Sequence, residues 1–115
     1  MARVSTSRII LASQSCRDGI RRPKAIVFAC ADFGLSIDHL RWSSWGGRVA
    51  RGHGTYRYND CDPYCAAGHF HASPAEIHLY RRRRCPGRSH LYYQDATVIP
   101  AGGAARKLFV GCPSV

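Results

Sequence analysis

The stretch AEIHLYR at residues 75–81 alternates between apolar and polar side chains. Ile77 and Leu79 fall on one side of an extended chain, with polar residues between them, and this period of two predicts a strand with one buried face. The segment HLYYQDATVI at residues 90–99 follows a turn at Cys85-Pro86-Gly87 and is predicted to pair with it. We therefore expect these two segments to form a β-hairpin.

Four further segments have the alternation or the branched and aromatic residues that favour strands. Together with the hairpin they give five or six strands, and no segment has the period of an amphipathic helix. The predicted fold is all-β, a small antiparallel sandwich or barrel stabilised by disulfides. At 115 residues the chain is long enough for one domain, which we place at residues 24–115 after an irregular N-terminal segment at residues 1–23. The additional strands are KAIVFAC at 24–30, LSIDHLRW at 35–42, VARGHGTYRY at 49–58 and KLFV at 107–110.

Two glycines, Gly52 and Gly54, share one face of the predicted strand at residues 49–58. Glycines on a strand face indicate a bulge, a bend or a large side chain that lies flat across them. We expect Trp42 or Trp45 to be that side chain.

The sequence contains six cysteines, an even number that permits three disulfides. Cys61 and Cys65 flank an Asp-Pro-Tyr turn, and we predict a local disulfide between them. We also predict Cys16–Cys30 and Cys85–Cys112, because each of these pairs ties a flanking segment to a predicted strand.

Cys61, Cys65, His69 and His71 have the spacing C-x3-C-x3-H-x-H, which is also similar to that of a zinc site. The two histidines are closer together than in finger-type sites, and an oxidising compartment favours the disulfide. We therefore expect no cofactor, with zinc as the alternative.

The cysteine usage predicts export to an oxidising compartment. No run approaches the roughly 20 apolar residues that a membrane helix needs, so we expect no membrane insertion. The N-terminus shows no convincing export signal, because IILA at residues 9–12 is shorter than the apolar region of about 7 to 15 residues in a signal peptide. We expect a secreted protein, and either its leader is missing from this sequence or the start codon has been placed inside the leader.

The net charge is +10, and 15 of the 17 basic residues are arginine. Arginine binds phosphate and carboxylate bidentately, which suggests a polyanion as partner, although a GC-rich genome would also produce this bias. Arg81–Arg84 and the facing Tyr92 and Tyr93 have the composition of a single-strand nucleic-acid surface. Four consecutive strand residues point alternately to both faces, so a solvated hairpin end is favoured and nucleic acid is the less expected partner.

Trp42, Trp45, Tyr56 and Tyr58 are candidates for an aromatic platform that binds a carbohydrate or another planar ligand. Packing in the core is the favoured alternative for these rings. If the chain binds a ligand, we expect the contact surface around these side chains and the loop at residues 59–74.

Three blocks, RRPKAIVFACAD at 21–32, LRWSSWGGRVARGHGTY at 40–56 and NDCDPYCAAGHFHASP at 59–74, resemble a family of small secreted actinobacterial proteins of uncharacterised activity. The resemblance covers residues 21–74 and implies export. It assigns no functional residues.

The sequence leaves the function unknown and supports three hypotheses. The leading one is a secreted, disulfide-stabilised binding or structural domain with no catalytic activity. The second is a zinc-containing nucleic-acid-binding protein that uses the Cys–His cluster and the arginine-rich hairpin. The third is a small secreted hydrolase, which requires a histidine and an aspartate to converge in a cleft, since no nucleophile elbow, zinc-protease motif or phosphate loop is present.

Overall fold

The computed structural model describes residues 10–13, 19–28 and 34–113, and these contain eight strands. The only helical element in these ranges is a single 3-10 turn at Cys65–Ala67, so the all-β prediction is confirmed. The strands are β1 (Ile10–Ser13), β2 (Gly19–Ile20), β3 (Ile26–Val27), β4 (Leu35–Ser44), β5 (Val49–Asn59), β6 (Phe70–Arg84), β7 (Leu91–Pro100) and β8 (Arg106–Phe109).

Strands β3 to β8 form an antiparallel sheet in sequence order, and the sheet curls into a half-barrel. The predicted antiparallel architecture of five to six strands is therefore confirmed. Strand β1 extends the sheet by running parallel to the start of β7, and β2 pairs with β1. Within the described ranges, no helix is long and apolar enough to cross a membrane.

The two short strands β1 and β2 lie inside the segment that was predicted to be irregular. Ile10 and Leu11 pair with Leu91 and Tyr92 of β7, and Ile10 is buried. Because this pairing joins residues that are 81 positions apart, the short apolar run at the N-terminus carried no local sign of it. The sheet therefore begins before residue 24.

The predicted hairpin of β6 and β7 is present, and it contributes buried side chains to the core. Ile77 pairs with Val98 and Leu79 pairs with Ala96, and all four side chains are fully buried. Burial of such side chains contributes about 1.5–3 kcal/mol each for the larger ones. The other strands of the sheet extend from the two sides of this hairpin.

Strand β4 carries bulges where it pairs with β5. The register shifts between Asp38 and Arg41, and His39 adopts a left-handed φ of 54°. A Cβ at Gly52 would stand 2.7 Å from Cε3 of Trp42, so the indole lies across this glycine. A Cβ at Gly54 would clash with the carbonyl oxygen of Asp38, so both the bulge and the covering tryptophan are present as predicted.

Strand β6 begins at Phe70, five residues earlier than predicted, so the irregular loop is shorter than residues 59–74. Pro74 lies within this strand opposite Thr55. Strand β7 ends at Pro100 opposite Ala75, and beyond that point β6 is an edge, where proline is tolerated. The proline misled the prediction because it was read as the end of a loop.

Disulfides join Cys61 to Cys65 and Cys85 to Cys112, two of the three predicted pairs. The third pair, Cys16–Cys30, lies outside the described residues. The two disulfides flank opposite ends of β6, one just before its first residue and one just after its last.

Candidate functional site

The two tryptophans do not form an open platform. The indole nitrogen of Trp42 donates to the carbonyl of Pro23 and that of Trp45 donates to the carbonyl of Ile10, both at 2.8 Å. The rings of Trp42 and Trp45 meet edge to face at 4.7 Å, and Trp45 meets Tyr93 at 5.2 Å. These contacts pack the indoles against the core and fix the segments that contain Pro23 and Ile10. The predicted set of four rings is therefore divided, with the tryptophans in a structural role.

The two tyrosines lie at the other end of the sheet, in a surface cleft of about 670 Å³. The ring of Tyr58 stacks on Tyr56 at 5.7 Å and on His71 at 5.0 Å. Arg106 and the turn at residues 100–104 also line this cleft. We call this site, defined by Tyr56, Tyr58, His71 and Arg106, the tyrosine cleft.

The strand register explains how the cleft opens. Tyr58 of β5 and His71 of β6 are directly paired, so their rings stack side by side. Strand β7 stops at Pro100, and residues 70–74 of β6 extend past it. The chain turns away after Pro100 and returns as β8, which leaves a gap between the overhanging part of β6 and the turn.

Arg106 is bonded to Tyr56 within the cleft. Its Nη1 donates to the hydroxyl of Tyr56 at 3.2 Å, while the Tyr56 ring is buried. Burial raises the pKa of Tyr56, and the nearby guanidinium opposes this rise. The arginine side chain is largely exposed, so it is available to an acidic or polar group of a ligand.

Asp60 holds His71 in place beside the cleft. Its Oδ1 accepts hydrogen bonds from the backbone N–H of His69 at 2.9 Å and of Asp62 at 3.0 Å, and its Oδ2 lies 2.9 Å from Nε2 of His71. The His69 amide, the His71 ring and the Asp62 amide hold the pKa of Asp60 well below its usual range. Asp60 is therefore ionised at neutral pH, and it fixes His71 with Nε2 as the donor.

Two of the four residues proposed as zinc ligands, Cys61 and Cys65, are bonded to each other through their sulfurs. Of the remaining proposed ligands, His71 binds Asp60, and Nδ1 of His69 lies 3.7 Å from the same carboxylate. In the part of the chain that the structure describes, no group of three or more metal-ligating side chains is arranged to hold an ion.

The arginine-rich hairpin lies at the end of the sheet opposite the tyrosine cleft. Arg81 makes an ion pair with Asp95 at 2.6 Å, and Arg82 donates to the carbonyl of Gly46 at 3.0 Å. Tyr92 and Tyr93 are buried, so they are not available to stack on bases, and that part of the sequence interpretation is wrong. We call Arg48, Arg82, Arg83 and Arg84, all exposed, the arginine cluster.

Sequence reasoning found Tyr56, Tyr58 and His71 but placed them in two different sites. It missed Arg106 and the turn at residues 100–104, because a single arginine and a glycine-alanine turn carry no local sign of a binding role. The pairing of Asp60 with His71 was also not predicted.

No known protein family, curated protein sequence or solved structure matches this chain significantly. The resemblance of residues 21–74 to small secreted actinobacterial proteins therefore stays a prediction.

Proposed function

We propose that this chain is an exported, disulfide-stabilised binding domain that takes a saccharide ring in the tyrosine cleft. The observation that carries the proposal is the stack of Tyr58 on the exposed His71 ring at an open cleft, with the buried Tyr56 ring behind them. Aromatic rings at a cleft wall bind the apolar face of a planar or ring-shaped ligand, and polar groups around them fix its orientation.

The polar groups of the cleft suit a hydroxyl-rich ligand. Ser73, His71 and Arg106 all line the cleft. His71 is half-exposed and is already oriented by Asp60, so binding does not have to order it. Sites that are organised before the ligand arrives lose less conformational entropy on binding.

The proposal is tested by titrating the protein with a panel of neutral and acidic oligosaccharides and measuring heat or amide chemical shifts. We expect Tyr58→Leu to weaken binding by about tenfold or more, as is typical of a central aromatic contact. The matched control is Tyr64→Leu, because Tyr64 is an exposed tyrosine outside the cleft. Equal losses in both variants, or no binding across the panel, would overturn the proposal.

The Asp60–His71 pair supports a second candidate, hydrolysis of the bound ligand. Because Nε2 of His71 is bonded to Asp60, Nδ1 is the ring nitrogen left to act as a base, and Ser73 offers a hydroxyl in the same cleft. Incubation of the bound oligosaccharides followed by mass spectrometry distinguishes the two. Products that appear with the unmodified chain and disappear with Asp60→Asn would favour hydrolysis, whereas unchanged ligand supports binding alone.

Export is proposed on the two disulfides, because such bonds persist in oxidising compartments. Intact mass measured without reductant, on protein purified from its natural source, tests this part. Each disulfide lowers the mass by two hydrogens. Fully reduced cysteines would contradict export and would reopen the question of a metal.

A further inference from the structure

We propose that the arginine cluster is a second binding site, independent of the tyrosine cleft, for a flexible linear polyanion. The ligand carries a row of oxyanions along a chain whose units do not stack, and the site recognises it by its charge. Four observations support this site.

The first observation is that no acidic side chain in the described ranges pairs with the arginines of the cluster. Arg48, Arg82, Arg83 and Arg84 are exposed, and none of them makes an ion pair with any residue in the described ranges. The nearby carboxylate of Asp95 is already occupied by Arg81. The cluster therefore presents an uncompensated positive potential on a chain whose net charge is +10.

The second observation is a strained residue at the start of the cluster. Arg81 has φ 62°, in the left-handed region that costs a non-glycine residue energy. At this position Arg81 makes two hydrogen bonds to the carboxylate of Asp95. The strained conformation thus accompanies the neutralisation of the acid that would otherwise lie beside the cluster.

The third observation is that the cluster is held rigidly. The Tyr93 hydroxyl accepts from the N–H of Gly46 at 3.0 Å and donates to the carbonyl of Gly47 at 2.6 Å, which fixes the turn before Arg48. Arg82 is bonded to the same turn, and Cys85, directly after the cluster, is buried in its disulfide.

The fourth observation selects the kind of polymer. Consecutive residues of a strand point to opposite faces, so Arg83 lies on the other face from Arg82 and Arg84. A rigid duplex meets one face, whereas a flexible chain can wrap around the hairpin end and meet both. Because Tyr92 and Tyr93 are buried, the facing strand offers no ring on which a base would stack, and this disfavours single-stranded nucleic acid.

The probe is linear inorganic polyphosphate, with poly-glutamate as a second flexible oxyanion chain and a 20-base-pair DNA duplex as the rigid comparison. Affinity is measured by calorimetry at several salt concentrations. With three to four contacts, we expect binding to weaken by about 20- to 50-fold between 50 and 200 mM salt, taking the slope of about 0.7 per contact found for flexible strands. Binding of polyphosphate alone assigns the site to phosphate, and equal binding of poly-glutamate assigns it to oxyanions in general.

The deciding variant is Arg83→Gln/Arg84→Gln, which leaves the bond from Arg82 to the turn intact. We expect roughly tenfold weaker polyphosphate binding and a salt slope lower by about 1.4. The control is Arg41→Gln/Lys107→Gln, which removes the same charge from two exposed residues on other strands and should have a much smaller effect. Equal effects in both variants, tighter binding of the duplex, or no polyphosphate binding would overturn the proposal, and none of these outcomes bears on the tyrosine cleft.

Discussion

The two ends of the β5–β6 hairpin carry different surfaces on the same framework. At one end Tyr58 and His71 stack beside an open cleft, and the acid nearby, Asp60, is used to orient the histidine. At the other end the rings are buried, the acid is neutralised by Arg81, and guanidinium groups face the solvent. The difference shows that aromatic residues mark a candidate ligand site only where the sheet leaves them uncovered.

The largest expected effect in this comparison is the loss of stability when a disulfide is removed. Cys85–Cys112 closes a loop with a separation of 27 residues, and Cys61–Cys65 closes one of 4. From loop-closure entropy, replacing the first pair by serine should cost about 3.5 kcal/mol and replacing the second about 2 kcal/mol. Urea denaturation of the two double variants measures both values. The reverse order would mean that the loop before β6 contributes more to stability than the end that carries the arginine cluster.

The packing of Trp42 over Gly52 gives the next effect. Gly52→Ala places a methyl group 2.7 Å from both the Arg41 carbonyl oxygen and the indole, so we expect a loss of about 1–3 kcal/mol in the free energy of unfolding. Gly47→Ala is the control, because its Cβ would lie 3.9 Å from its nearest contact and should change stability by less than about 0.5 kcal/mol. If the two variants unfold at the same denaturant concentration, the indole is not a structural cover.

A pair of tyrosine hydroxyls compares the two ends directly. Tyr93→Phe removes the partner of two backbone groups in the turn, at Gly46 and Gly47, and should cost about 1–3 kcal/mol. Tyr56→Phe removes only the bond from the exposed Arg106, whose guanidinium returns to water, and should cost about 0.5–1 kcal/mol. Thermal unfolding of both variants tests the order. Equal costs would show that the hydroxyl in the tyrosine cleft is also structural.

The smallest effect concerns acid stability at the tyrosine cleft. Because the pKa of Asp60 is lowered in the folded state, its contribution to stability is present above the ordinary carboxyl pKa of about 4 and is lost as the pH falls below it. Asp60→Asn should therefore flatten the fall of the unfolding temperature between about pH 4 and pH 2. The matched control is Asp62→Asn, which removes an exposed acid from the same loop. Parallel curves for Asp60→Asn and the unmodified chain would contradict the role assigned to this carboxylate.

The sequence predicted those parts of the fold that depend on local pattern. Ile77 and Leu79 alternate with polar residues, so the central strand and its burial were visible, and the glycines of β5 predicted the covering indole. Strand β1 was missed because its pairing with Leu91 and Tyr92 depends on residues far along the chain. The early start of β6 was missed because Pro74 lies on an edge that only the end of β7 creates.

The candidate site was less predictable than the fold, for a physical reason. Tyr56 and Tyr58 differ from Trp42 and Trp45 in what covers them, and that depends on Pro23 and other residues from distant segments. Arg106 reaches Tyr56 across a separation of 50 residues. No spacing within a motif reports such contacts, so the four rings looked equivalent in the sequence.

The length of β6 sets the distance that a ligand must span to reach both sites. Its fifteen residues run without interruption from the tyrosine cleft to the arginine cluster, and the 11-residue step from His71 to Arg82 corresponds to as much as about 36 Å of extended strand. A short oligosaccharide or a short anionic chain would therefore occupy one site only. A longer polymer that carries sugar rings as well as charge could reach both sites. It would gain avidity from bivalent attachment, because the strand fixes the distance between its two points of contact.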